Sequence, residues 1–295
     1  MNIRRAKKLI DGKVVLDDIN LSIKENQIIG LVGRNGAGKT SLFRVIAGHY
    51  LLDEGAVLIN GVDVAKNPDL KKDIFYIDEQ YSFFAGSSLA TLGEFYAINY
   101  PNFDRQGFIK LLEENDLDKN DAYRSMSKGM QGLFKMILAI ASNAKYLFLD
   151  EPFDGLDVIV RKNVTRLFLR HLADSNQSVM ISSHNLQDLE AIIDRSVLLK
   201  DKTIRQDILL EDFKEKARKI QLVLGEKEIP TWIKNHSRAL RIEGRVLTLV
   251  FDDYNQEIVD KLKDLSPVLM EELPLSLEDF FEANLSKEKD YQLVV

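Results

Sequence analysis

Residues 33–40 read GRNGAGKT and stand between the apolar run QIIGLVG (27–33) and the helix-like TSLFRVIAG (40–48). The order is strand, glycine-rich loop, helix, and it decides the rest of the reading. A bound polyphosphate requires backbone N–H groups that converge without side-chain obstruction, a cation that reaches the outer phosphates, and a hydroxyl for a divalent metal. Gly33, Gly36 and Gly38 permit the turn, with Arg34, Asn35 and Ala37 between them. Lys39 supplies the ammonium, Thr40 the hydroxyl, and Ser41 continues into the helix. That helix begins where the phosphates would lie, so about half a positive charge of its dipole points at them. A four-position match of this kind arises by accident in about one chain in a hundred of this length, and the strand-loop-helix setting makes accident rarer still. The loop predicts a nucleotide site.

Further along, YLFLDEP (146–152) is a buried-strand pattern that delivers two carboxylates and then a proline. At the carboxyl end of a strand next to the phosphate loop, Asp150 would hold Mg²⁺ through water, and Glu151 would polarise the attacking water. His184 follows the apolar run VMISS at another strand end, about one helix and one strand later, within reach of a γ-phosphate or of the water. His49, His171 and His236 have no such setting and read as surface or packing residues.

Around these stretches the chain alternates between strand and helix patterns. VVLDDINLSI and AVLING followed by VDV read as strands, the second pair as a hairpin; KYLFLD and SVMISSH read as strands covered on both faces, with helical VIVRKNVTRLFLRHLADS between them. From about 85 to 145 the spacing is helical, which predicts a helical block inserted into an α/β fold. Beyond residue 205 the pattern changes to short strands (KIQLVL, RALRIE, RVLTLVF) and helices (YNQEIVDKLKDL, SLEDFFEANL), a small α+β appendage over 206–295.

Composition narrows the function. The chain has 295 residues, no cysteine and a net charge of −6 with both signs scattered, so thiolate chemistry is excluded and nothing electrostatic favours nucleic acid. MNIRRAKKLIDGKVV lacks the apolar core of a signal peptide, and no stretch reaches the roughly 18 apolar residues of a membrane span. The expectation is a chain that does not itself cross a membrane, with docking on a membrane protein left open.

Four features in one order, GRNGAGKTSLFRVIAG with LLDEGAVLINGVDV, then SKGM before a helix, LFLDEPFDGLD, and SSHNLQDLEAIIDR, resemble the ATP-binding cassette (ABC) ATPase family over roughly residues 1–205. The resemblance implies a P-loop NTPase fold with an N-terminal antiparallel β-subdomain and an inserted helical subdomain, binding ATP and Mg²⁺. It implies two cassettes head to tail, each ATP held between one phosphate loop and the signature segment of the other, whose usual form is LSGGQ. MSKGM (126–130) takes that place: Ser127 would cap its helix and donate toward a γ-phosphate, and Gly129 would let the backbone approach. Gly155, Leu156 and Asp157 match the family's D-loop, and Glu79, with Gln80 one place later, matches the metal-sensing Q-loop position. Ile10 stands where the family usually has an aromatic residue against adenine, and Lys128 and Met130 depart from the usual signature.

The SKGM and FDGLD variants and LEDFF at 277–281 are similar to cassettes that serve separate membrane subunits in bacterial exporters. That resemblance implies export of a peptide, drug or other toxic compound, a second cassette (identical or a paralogue), a multispanning transmembrane partner, and a place on the cytoplasmic face of the cell membrane. The stretch near residues 79–90, to which YSFFAGSS adds aromatic side chains, is the expected coupling contact. The rival expectations are a soluble ABC ATPase acting on nucleic acid or ribosomes, and a regulatory ATP-binding module with weak turnover.

Overall fold

The structure, a computed structural model, describes residues 1–78, 86–173, 175–184, 186–225 and 228–285. The chain divides into two compact units, Met1–His184 with Ile192–Asp207, and Asn185–Ala191 with Ile208–Val295.

The first unit contains strands β1 (Asn2–Ile10), β2 (Lys13–Ser22), β3 (Ile28–Val32), β4 (Glu54–Ile59), β5 (Val62–Asp63), β6 (Ile74–Ile77), β7 (Tyr146–Asp150), β8 (Ser178–Ser183), β9 (Arg195–Lys200) and β10 (Thr203–Leu209). Its helices are α1 (Lys39–Ile46), α2 (Leu89–Asn99), α3 (Arg105–Glu114), α4 (Lys128–Ser142) and α5 (Val158–Ala173). An antiparallel sheet runs in the order β2-β1-β4-β5. Its first hairpin turns on Asp11 and Gly12, both left-handed (φ 50° and 73°), as a two-residue turn between twisted strands requires. Gly55 (φ 89°) lies so close to β1 that a Cβ there would stand 2.3 Å from the Arg5 carbonyl oxygen. The β1 strand itself is not legible in the sequence: bulges between Ile3 and Leu9 break its alternation, and Arg5 sits at one of them with φ 43°.

The second sheet carries the chemistry. Its order is β10-β9-β3-β8-β7-β6, with β9, β3, β8, β7 and β6 parallel where their pairings are recorded. Every residue of β7 and β8 is buried, which is why both read as continuous apolar runs rather than alternating ones. Phe43 of α1 packs edge-on against Phe148 of β7 at 5.5 Å between centroids, joining the phosphate-loop helix to the sheet. Helices α2, α3 and α4 lie between β6 and β7 in sequence, and each starts on a capping side chain: Ser88 accepts from the Thr91 N–H, Asp104 from Gly107, and Ser127 from Met130. Asn143, left-handed at φ 48°, ends α4.

The second unit contains α6 (Leu186–Glu190), α7 (Leu210–Lys216), β11 (Arg218–Val223), α8 (Thr231–His236), β12 (Arg238–Glu243), β13 (Val246–Phe251), α9 (Gln256–Asp264), β14 (Leu269–Leu273) and α10 (Leu277–Leu285). Its antiparallel sheet runs β12-β13-β11-β14 over a core that includes Leu222, Leu249, Phe251, Ile233 and Leu262. The α6 segment belongs here although it falls inside the span expected for the cassette. Glu190 accepts the Leu277 N–H and Gln187 bonds Glu278, both at 3.2 Å, which ties α6 to α10. Among the described residues no helix is long and apolar enough to cross a membrane.

Candidate nucleotide-binding site

The loop after β3 and the first turn of α1 line a cavity of about 500 Å³ together with Val15, Glu151, Asp154 and His184. The glycines serve geometry as much as openness. A Cβ on Gly33 would stand 2.6 Å from the Leu199 carbonyl oxygen, and one on Gly38 would stand 2.8 Å from that of Val15. Gly36 faces open space and is required by its φ of 79°. Arg34, Asn35, Ala37 and Ser41 all line the cavity.

Lys39 opens α1 and is only 7% exposed. Its ammonium donates to the Gly33 carbonyl at 2.7 Å and pairs with Glu151 Oε1 at 3.2 Å, so the buried charge is neutralised. Glu151 follows β7 in a left-handed conformation (φ 45°), which no pattern in the sequence foretells. Its other oxygen, Oε2, accepts the His184 N–H at 3.2 Å and lies 3.0 Å from His184 Nδ1. With Nδ1 donating to the carboxylate, His184 keeps Nε2 as an acceptor on a half-exposed ring.

Asp150, the last residue of β7, is 2% exposed. Burial pushes its carboxyl above the ordinary carboxylate range, against the hydroxyls of Ser182 and Thr40, which pull it down; Asp78 and Glu151 add to the upward push. Oδ1 accepts from Ser182 Oγ at 2.5 Å, whereas Oδ2 is buried with no hydrogen-bond donor among the described residues. A buried carboxylate oxygen without a donor, beside the Thr40 hydroxyl, fits a hydrated cation. Among the described residues no three His, Cys, Asp or Glu side chains converge as a metal cage.

Other predicted residues lie elsewhere. Ile10 does not line the cavity; Val15 of β2 does, and no Phe, Tyr or Trp side chain lines it among the described residues. Ser127 and Gly129 are not at this cavity either. Ser127 caps α4 by accepting the Met130 N–H at 3.2 Å, and a Cβ on Gly129 would press on Val160 of α5 at 3.2 Å. Asp157 does not line this cavity: it caps a helix, its Oδ1 accepting the Ile159 and Val160 N–H groups at 2.9 Å, and Asp154, three residues earlier and outside the matched D-loop residues, lines the cavity. Glu79 and Gln80, with 81–85 of the expected coupling contact, lie outside the described residues. Asp78, just before them, is held by Arg44 of α1 at 2.7 Å and through its carbonyl by Lys135 of α4 at 3.3 Å. Sequence reasoning missed Val15, Asp154, Ser182 and the Asp78 junction.

A phosphate loop, an acid pair at the end of the neighbouring-but-one strand and a histidine between them define a P-loop ATPase site. The family described as ABC transporter matches residues 16–154. The chain is 31% identical over 284 residues to the ABC transporter ATP-binding protein YtrB of Bacillus subtilis, covering 96% of this chain and 97% of YtrB. This chain belongs to the ABC transporter ATP-binding proteins. The lipopolysaccharide export system ATP-binding protein LptB of Escherichia coli is 27% identical, over 72% of this chain and 98% of LptB. The sulfate/thiosulfate import ATP-binding protein CysA of Pseudomonas aeruginosa is 29% identical, over 70% of this chain and 65% of CysA. Among solved structures, the dimeric structure of MJ0796, a bacterial ABC transporter cassette, shares the fold with a TM-score of 0.63 at 19% identity, over 71% of this chain and 98% of that one. The chain is thus an ATP-binding, ATP-hydrolysing subunit of an ABC transporter.

Proposed function

We propose that this subunit powers export through a separate multispanning membrane partner, by ATP-dependent closure of two cassettes, from the cytoplasmic face of the membrane. The observation that carries the catalytic part is the Lys39–Glu151–His184 cluster at the mouth of the cavity. The N–H groups of the 33–41 loop and the α1 terminus bind the phosphates, and Lys39 turns from Glu151 to the outer phosphate oxygens. Glu151, released from that pair, takes the proton of the attacking water; His184 orients Glu151, and its Nε2, left as an acceptor, takes a hydrogen bond from that water. Thr40 and, through water, Asp150 would hold Mg²⁺, which supplies charge neutralisation at the β- and γ-phosphates. With Val15 in place of an aromatic surface, affinity for the nucleotide rests mainly on phosphate contacts.

Ser127 and Gly129 present the α4 terminus to the ATP of the opposite cassette, so each nucleotide is closed by two chains. Charge-assisted hydrogen bonds of this kind contribute about 1.5–3 kcal/mol apiece, enough for ATP to favour the closed pair and for hydrolysis to release it. Asp157 caps α5 beside that interface and Glu79 or Gln80 senses the metal from the Q-loop. The export direction and a peptide, drug or other toxic cargo are supported by the FDGLD loop, the LEDFF segment and the likeness to an export subunit, while an import subunit among the relatives marks the opposite possibility. Purification with its membrane subunits into vesicles decides direction: ATP added outside inverted vesicles should drive cargo inward. Movement out of the vesicles would overturn the export reading, and co-purifying ribosomes or nucleic acid would overturn the transporter partnership.

A further inference from the structure

We propose that Ser182 of β8 is a positioning residue for hydrolysis, its single hydroxyl holding the Asp150 carboxylate and the Glu151 backbone in register at once. The hydroxyl is fully buried, with Ser182 at 0% exposure. Its oxygen accepts the Glu151 N–H at 2.9 Å and its hydrogen goes to Asp150 Oδ1 at 2.5 Å. Chemistry fixes these directions, because a backbone N–H only donates, and the one hydroxyl hydrogen is therefore left for the carboxylate. The parallel pairing of β7 with β8 sets Asp150 directly opposite Ser182, so the contact follows from the sheet register rather than from a loop.

Two consequences bear on the reaction. First, with Oδ1 engaged by Ser182, the oxygen of Asp150 that lacks a donor is Oδ2, which leaves that atom as the one available to a hydrated cation. Second, Glu151 sits at φ 45°, a conformation that a residue with a Cβ holds only under restraint. Ser182 restrains its backbone, while Lys39 and His184 restrain its carboxylate. Alanine at 182 would leave one buried carboxylate oxygen and one N–H without the partner that now serves both. The Asp150 carboxylate and the Glu151 backbone would then lose their common anchor, although no atom that touches phosphate has changed.

The inference rests on the roles given above to Asp150 and Glu151. It is tested on the full chain with Ser182→Ala and Ser182→Thr, using ATP turnover, ATP affinity and hydrogen–deuterium exchange of the peptide containing Glu151. In Ser182→Ala, kcat should fall about 10–100-fold, the usual cost of losing an outer-shell partner, with KM for ATP changed by no more than about twofold. The Glu151 amide should exchange faster in the protein without nucleotide, a readout that does not depend on turnover, while thermal melting stays cooperative. Ser182→Thr, which keeps the hydroxyl, should recover most of kcat; if its extra methyl prevents folding, the exchange and kinetic results on alanine still decide. Normal turnover in Ser182→Ala beside an inactive Glu151→Gln overturns the proposal alone, as does an unchanged Glu151 exchange rate. Normal turnover in Glu151→Gln overturns the reading on which it rests.

Discussion

Replacing Glu151 by glutamine separates its two roles, proton acceptor and partner of Lys39, and predicts opposite effects on turnover and on affinity. As a base, Glu151 contributes the 10²- to 10⁴-fold typical of general base catalysis, or about 2.7–5.4 kcal/mol of barrier at 1.36 kcal/mol per decade. As a partner, its Oε1 lies 3.2 Å from the Lys39 ammonium, with side chains 13% and 7% exposed, so solvent screens the pair little. Phosphates that recruit Lys39 must first take it from this contact. A charge-assisted hydrogen bond contributes about 1.5–3 kcal/mol and a neutral one roughly half of that. Glutamine therefore lowers the competing interaction by about 0.8–1.5 kcal/mol, which corresponds to roughly 4- to 13-fold tighter ATP binding. Phosphate release under saturating Mg-ATP measures the first effect. Titration calorimetry, with a non-hydrolysable analogue for both proteins, measures the second, and size-exclusion chromatography with ATP should show the variant held as a dimer. Turnover within tenfold of the parent would remove Glu151 as the base. Weaker affinity would refute the competition between Glu151 and the phosphates for Lys39.

Lys39→Ala should abolish measurable ATP binding in the same titration, and it should also lower the melting temperature, because Glu151 is left as a mostly buried carboxylate without its cation. Asp150→Asn should abolish Mg²⁺-dependent turnover and yet raise thermal stability at neutral pH. The folded-state pKa of Asp150 is raised by burial above its ordinary 3.8, so its ionisation opposes folding, and stability from this group falls as pH rises through those values. The gain from asparagine should accordingly be largest at pH 7 and shrink as the pH approaches 4; a gain independent of pH would contradict the assignment. Gly93→Ala places a Cβ 2.3 Å from Phe108 Cε1 inside the helical block. Overpacking of this kind costs about 1–3 kcal/mol, and a denaturant midpoint equal to that of the parent would mean that Phe108 moves aside freely.

The phosphate loop, YLFLDEP and the strand-end histidine were legible because each is local: a few consecutive residues define both the backbone turn and the chemistry it presents. Ser182 was not legible, since its importance depends on which strand lies beside β7, and strand order is a property of the whole sheet. The same holds for Gly33 and Gly38, whose missing side chains make room for the backbones of β9 and β2. Asp157 could have been read locally: an acid followed by two N–H groups at the start of a helix is a capping pattern, and its match to a family loop drew the interpretation toward the nucleotide. Ile10 was placed by alignment of GKVVLDDINLSI with the family, which gives no measure of which side chain of the hairpin reaches the cavity; Val15 on the partner strand does.

Strand order also explains why these groups can act together. The phosphate loop leaves β3, Asp150 and Glu151 end β7, and β8 lies between them, so the two halves of the site are separated by two strand spacings, about 9–10 Å. If β3 and β7 were neighbours, Glu151 would stand against the phosphate loop with no width for a γ-phosphate and its attacking water. One strand further apart, Lys39 could not span the gap, yet its ammonium does reach Glu151 at 3.2 Å. The intervening strand then contributes at two levels. Ser182 inside the sheet binds the acid pair from behind, and His184 at its end meets Glu151 from the cavity side. An exchange of Ser182 therefore acts on the far wall of the site and an exchange of His184 on the near wall, and the two should be separable: the first loosens the Glu151 backbone, whereas the second leaves it restrained and removes only the Nδ1 contact of the carboxylate, which keeps Lys39 and the His184 N–H.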